Sequence, residues 1–398
     1  MEVTPGPNGS DFFRNEKIRI FTCEIYRNEK NRNMKNNPFK FGTIVDGKFF
    51  TDREEEFEKI SSFLNGENHL ILISPRRFGK TSLVKKVVIE SGRKFIFLDL
   101  QLVLSSEDFA AQLLKRVYRI YPIQKIKSYI KSFRLIPVVI INPVTGQTEI
   151  SFQPGTAGFV PLEDVLSLIE KLAEGKKKMI IVLDEFQEIF RIAGGMDRFL
   201  RSVMQTHKNI NYVFLGSSES MIREIFEKKN SPFYRFGSLM TLGKIDTEIF
   251  RKFISEGFKG KTVSAGELSD KILAITDCHP YYTQQLAFTV WEMLIKVKYS
   301  PDLAEKAADE IVQSHDNDYE RIWNSLNRTD MVVLTGMSLS DVSPLSDEFS
   351  KIYGTGAVST IFSALQRLTG KGLLIKEGSA YKIDDPFFKR WIIFRRQV

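Results

Sequence analysis

Residues 71–83 read ILISPRRFGKTSL. An apolar run, a small residue, four spacers and then Gly-Lys-Thr is the layout of a phosphate-cradling loop, G-x-x-x-x-G-K-[ST], with one departure. Ser74 stands where the first glycine belongs, followed by Pro75, Arg76, Arg77, Phe78, Gly79, Lys80, Thr81 and Ser82. The chemistry tolerates that change. Such a loop works because successive backbone N–H groups and a helix N-terminus face an anion. Gly79 lets the backbone close on phosphate without an intervening Cβ. Lys80 brings a point charge to the outer phosphates, and the Thr81 hydroxyl is a Mg²⁺ ligand of the usual kind. The first position serves the turn leaving the strand, which a small serine can make. Residues 69–73 (HLILI) read as a short buried strand, and residues 81–92 carry Leu83, Val84, Val87 and Val88 at helical spacing before Gly92. Strand, loop and helix in that order favour the nucleotide reading over a basic turn with a chance GKT.

Five further segments extend the pattern. Residues 94–100 (KFIFLDL) read as a strand with Asp99 near its end, and residues 106–121 as a helix with Phe109, Leu113, Leu114 and Val117 on one face. Residues 138–141 and 148–152 flank Pro143 and Gly146, a β-hairpin expected outside the main sheet. Residues 161–175 read as a helix. Residues 179–185 (MIIVLDE) then give a buried parallel strand ending in two carboxylates. Open α/β sheets bind ligands at the carboxyl ends of their strands. Asp184 and Glu185 are therefore expected beside Lys80, Asp184 holding Mg²⁺ and Glu185 orienting and deprotonating a water. Alternatively, they are two solvated acids opening a helix at 186–192.

Residues 211–216 (NYVFLG) form another strand of this type. Ser217 and Ser218 after it read either as donors to the γ-phosphate or the attacking water, or as a helix N-cap. Arg235 lies among aromatics in residues 231–242 (SPFYRFGSLMTL), which read as a loop. It is a candidate arginine finger or else a surface arginine, with Arg76 and Arg77 as rivals for phosphate.

Taken together, NPFKFGTIVDGKFFTDRE, SPRRFGKTSL, MIIVLDEFQE, FLGSS, SPFYRF and ITDCHPYYTQQLA, in that order from Asn37, resemble the archaeal-type ATPase family. That family lies in the STAND branch of AAA+-like P-loop ATPases. The resemblance implies an ASCE-type P-loop NTPase: an α/β fold with a parallel sheet and helices on both faces, then a helical lid and a winged-helix domain. It implies ATP and Mg²⁺ as ligands. It implies that Phe50, Thr51, Asp52 and Arg53 lie near adenine, against a plain helix start with Thr51 or Asp52 as N-cap. His279-Pro280 matches a lid element that contacts nucleotide, and reads otherwise as a turn. Relatives usually have glycine at the positions of Ser74 and Cys278. The expected divisions are a flexible segment 1–37, an ATPase core 38–243, a lid 244–318 and a winged helix 319–398. Within the last, residues 359–368 form a helix, 373–376 and 381–383 two strands with Gly378 in the wing, and 387–396 a packed helix.

Composition narrows the classes. At 398 residues the chain can build two or three cores. Residues 135–141, the longest kind of apolar run here, fall far short of a bilayer span, and the N-terminal residues lack a signal-peptide core. No membrane role is expected. Cys23 and Cys278 make no disulfide framework, as befits the cytoplasm. His69, His207, His279 and His315 are scattered and suggest no zinc site. Residues 1–37 are polar and Asn-rich, with Met34 an alternative start. The net charge of +8 fits phosphate-bearing partners. The reading is an ATP/ADP-binding protein, a slow Mg²⁺-dependent ATPase used as a switch. A DNA-binding protein regulated by ATP is the alternative, and a nucleotide-binding relic without turnover a third. Gln366 and Arg367 are the base-reaching candidates on residues 359–368, too few for a DNA-reading helix, so the winged helix is expected to make intramolecular contacts or to contact protein. An oligomer is an open expectation, since it decides whose phosphates Arg235 would serve.

Overall fold

The computed structural model describes residues 37–396, apart from 44–46, 67, 142–147, 153–157 and 176. The polar segment 1–36 and the expected hairpin turn lie outside the described residues.

The parallel sheet is built from β1 (Leu70–Ile73), β2 (Phe95–Asp99), β5 (Met179–Asp184), β6 (Ile210–Gly216) and β7 (Ser238–Thr241), in the order β2-β5-β6-β1-β7. All four pairings are parallel. β6 thus lies between the loop strand β1 and the acid-bearing strand β5. Strand side chains alternate between faces, and both faces are covered. Ile71, Ile73, Ile181, Leu183 and Phe214 pack with helices Ser106–Ile120 and Val160–Leu172. Leu70, Leu72, Ile180, Val182 and Val213 pack with helices Glu54–Asn65 and Lys80–Glu90. Burial on both sides explains why β1, β5 and β6 are uninterrupted apolar runs.

Residues 238–241, expected within a loop, form the edge strand β7. It is half-exposed (Ser238 and Leu239 partly buried, Thr241 exposed), so it lacks the apolar run that marks its neighbours. The hairpin of β3 (Val138–Ile141) and β4 (Thr148–Ser151) is antiparallel and separate from the main sheet. Helix Ile123–Ile130 precedes it, an element the sequence reading passes over.

Three helices, Thr247–Phe258, Ala265–Thr276 and Pro280–Lys296, follow the sheet. The C-terminal unit contains helix Val358–Gly370, the hairpin of β8 (Leu374–Glu377) and β9 (Ala380–Ile383), and helix Pro386–Arg396. One apolar cluster runs through both regions, from Phe39 and Phe250 to Trp391 and Ile392. The lid and the winged helix therefore share a core, with no apolar break near residue 319. Four charges also tie the wing down. Lys382 and Lys244 each pair with Asp277 and Glu377.

Candidate functional site

The loop leaves β1 at Ser74, whose N–H donates to the Gly216 carbonyl at 3.2 Å. Ser74 has a negative φ, whereas Arg77 (φ 66°) and Gly79 (φ 90°) are left-handed. The glycine-demanding position is therefore Gly79, the N-cap of helix Lys80–Glu90, and serine at 74 carries no backbone strain. A cavity of ≈ 390 Å³ opens above this helix end. Gly79, Lys80, Thr81 and Ser82 line one side, and Phe41, Phe49, Phe50, Ile245, Phe250 and Tyr281 give it an apolar side.

Beneath it the strand ends converge. Lys80 Nζ lies 2.7 Å from Glu185 Oε1, both side chains buried. Thr81 Oγ1 donates to Asp184 Oδ2 at 2.8 Å. Glu185 Oε2 accepts from Gln187 Nε2 and Ser217 Oγ, each at 2.6 Å, and from the Ser217 N–H at 3.2 Å. Glu185 has φ 52°, a left-handed conformation that turns the chain sharply after β5. Burial alone would raise the pKa of Glu185, but Lys80, Ser217 and Gln187 outweigh it and hold the carboxyl below its usual value. Burial dominates at Asp184 and raises its pKa, partly offset by Lys80 and Thr81.

The structure brings Ser74–Ser82, Asp184, Glu185 and Ser217 into one neighbourhood. Ser217 reaches it through Glu185. Ser218 occupies the N-cap position of helix Glu219–Glu227 without a side-chain capping bond. Pro280 lines the cavity from the lid, and Phe50, Thr51 and Arg53 line it from the entry segment. Arg53 is itself the left-handed N-cap of Glu54–Asn65, so neither Thr51 nor Asp52 caps that helix. Its guanidinium is bound to Glu56 and to the carbonyls of Gly243 and Lys244. Asp52 turns away and accepts from the Asp246 N–H at 3.4 Å.

Arg235 is not in this neighbourhood. It sits three residues before β7, at the edge of the sheet opposite the phosphate loop, because β7 runs parallel to β1 in register Leu70↔Ser238. Its guanidinium lies 5.1 Å from the Tyr234 ring centroid. Sequence reasoning missed Gln187, which the FQE turn after β5 brings back onto Glu185, and Gln284, which lines the cavity and accepts from the Lys40 N–H at 3.2 Å. It also missed Tyr281 and Tyr282, whose rings receive Arg77. Adjacent aromatics in the lid segment were the available signal.

A parallel sheet with a lysine-bearing loop at one strand end and paired acids at the next-but-one strand defines a P-loop ATPase fold. Residues 50–286 match the model of an ATPase domain predominantly from Archaea, and the chain belongs to that family. Residues 317–393 match a probable winged helix domain. In three dimensions the chain is similar to a Walker-type ATPase of Pyrococcus abyssi, at 18% identity and TM-score 0.62, covering 87% of this chain and 96% of that one. It is also similar to the ORC2 protein of Aeropyrum pernix, solved as ADPNP–ADP complexes, at 14% identity and TM-score 0.52, covering 89% and 96%. At these identities the likeness speaks to fold. No curated protein matches the sequence. Among the described residues no helix is long and apolar enough to cross a membrane.

Proposed function

We propose that this protein binds ATP with Mg²⁺, hydrolyses it slowly, and uses nucleotide state to set how lid and winged helix sit against the core. The observation that carries the reading is that Lys80 and Thr81, which line the cavity, are held from beneath by Glu185 and Asp184, with Ser217 bound to Glu185. The apolar side of that cavity suits a base, and Gly79–Ser82 with their helix N-terminus suit phosphates.

The donor set also fits Mg²⁺. Thr81 at the helix start and Asp184 at the end of β5 offer hard oxygens joined by a 2.8 Å hydrogen bond. That suits an ion which takes few protein ligands and completes its shell with water and phosphate. Bound there, Mg²⁺ would neutralise charge developing on the phosphates. This chain's own residues do the rest. Lys80 moves from Glu185 to phosphate, which frees Glu185 Oε1 to accept a proton from water, while Ser217 and Gln187 keep Oε2 in place. In this reading Arg235, at the far edge, serves the site of a neighbouring copy, and a specific hydrolysis rate that does not rise with protein concentration would remove that role.

The division into core 38–243, lid 244–318 and winged helix 319–398 belongs to this reading, as does a cytoplasmic setting. The winged helix fits a protein partner better than DNA. Lys382 is tied to Asp277 and Glu377, and Arg367, a base-reaching candidate, to Asp330 at 2.7 Å, so both cations are already paired within the chain. Val358 and Phe362 are exposed on the outer face of helix Val358–Gly370. Calorimetry with Mg·ATP and phosphate release by wild type, Lys80→Ala and Glu185→Gln test the reading. Equal hydrolysis in all three would overturn it.

A further inference from the structure

Arg77 lies in the phosphate loop but its side chain belongs to the lid. Its Nη1 donates to Tyr282 Oη at 3.0 Å, and its Cζ stands 4.5 Å from the Tyr281 ring centroid and 5.6 Å from that of Tyr282. The left-handed backbone at Arg77 (φ 66°) throws the side chain across the cavity it lines. A guanidinium has five N–H donors in one plane. The bond to Tyr282 takes one, and the stack on Tyr281 fixes the plane for the others.

Tyr282 in turn rests on the C-terminal unit. Its ring meets Phe387 edge-on at 5.7 Å. The neighbouring loop residue Phe78 meets His279 at 4.8 Å, and His279 Nε2 faces Asp384 Oδ1 at 3.5 Å. Asp385 caps the last helix through the N–H groups of Phe387 and Phe388 and accepts from Tyr319 Oη at 3.1 Å. Loop, lid and winged helix meet at two residues of the phosphate loop.

We propose that Tyr282 is a positioning residue: it holds the Arg77 guanidinium so that its remaining donors meet the nucleotide's phosphates, and thereby links nucleotide binding to the seating of the winged helix. The proposal rests on the nucleotide reading above and adds the residue pair that carries its coupling. Coupling through a shared pair is reciprocal. Phosphate held by Arg77 steadies Tyr282 and with it the Phe387 contact. A well-seated winged helix in turn keeps Arg77 oriented for phosphate.

The test is a double-mutant cycle on Mg·ATP affinity, measured by calorimetry on the full chain, with Arg77→Ala, Tyr282→Phe and the double variant. Tyr282→Phe keeps the ring and its packing and removes one oxygen. It is expected to weaken binding by about 5-fold or more, with little further loss when added to Arg77→Ala. Hydrogen exchange supplies a second readout. Amides of helix Pro386–Arg396 should gain protection when wild type binds Mg·ATP, and Tyr282→Phe should lose that gain at saturating nucleotide. Tyr282→Phe binding within 2-fold of wild type, additive losses in the double variant, or unchanged exchange would each overturn the proposal while leaving nucleotide binding intact. Wild type that binds no Mg·ATP would remove the nucleotide reading itself and this proposal with it.

Discussion

Lys80 Nζ and Glu185 Oε1 stand 2.7 Å apart beneath the cavity, a buried ion pair between the phosphate loop and the end of β5. In the proposed reading, the lysine that meets phosphate is thus held by the carboxylate that meets water. Each group is occupied until a more negative partner draws Lys80 away. In the proposed mechanism a ligand with three phosphates does so, and the same movement uncovers Glu185.

That relationship separates binding from hydrolysis. In Glu185→Gln the hold on Lys80 weakens, so Mg·ATP affinity should be retained or rise, while hydrolysis should fall by about 10²-fold or more. Lys80→Ala should lose both. It should also cost about 3 kcal/mol of stability in urea unfolding, since it strands a buried carboxylate. Glu185→Gln with full hydrolysis would remove Glu185 from the chemistry.

The two departures from the family pattern should behave oppositely. Ser74 has ordinary backbone geometry, so Ser74→Gly should leave turnover within about 3-fold, with any stability change a small entropic loss. Cys278 has φ 54° and follows Asp277 at φ 48°, two consecutive left-handed residues. Cys278→Gly should therefore raise stability by about 1 kcal/mol, read as a higher Tm. An unchanged or lower Tm would mean that its contact with Thr247 Oγ1 at 3.6 Å outweighs the backbone strain.

Acid should destabilise the core through His69. Burial, with Lys178, Arg201 and His207 nearby, lowers its pKa to about 4. Its Nδ1 accepts from the Tyr212 N–H at 3.2 Å, a bond that requires an unprotonated nitrogen. The folded state resists protonation while the unfolded chain takes it up near the normal value. The contribution is thus present at neutral pH and lost as pH falls through the interval between the two pKa values. Urea unfolding should show about 2 kcal/mol less stability at pH 5 than at pH 7 from this group. His69→Gln should show a smaller acid loss. Equal losses in both would assign the effect elsewhere.

Duplex DNA should bind weakly, with a shallow dependence of log affinity on log salt, a slope magnitude of about 2 or less. The engaged state of Lys382 and Arg367 motivates this. A slope corresponding to about six or more phosphates would instead make the winged helix a DNA-binding element.

Much of this protein was legible in local sequence. The phosphate loop, the strand ending in Asp184 and Glu185, and the strand before Ser217 are contiguous signals whose chemistry and burial are written in neighbouring residues, so each can be read without knowing what lies beside it. A strand buried on both faces has to be apolar throughout. A loop that closes on phosphate needs Gly79 where φ is positive. Tertiary structure alone decided the rest. Edge strand β7 is half-exposed and carries no such signal. The distance of Arg235 from the phosphate loop follows from the direction in which β7 runs. The partners of Arg77 lie about two hundred residues along the chain, and the engagement of Lys382 depends on how lid and wing pack. Such pairings arise from the packing of remote elements into shared cores, and no local periodicity records them.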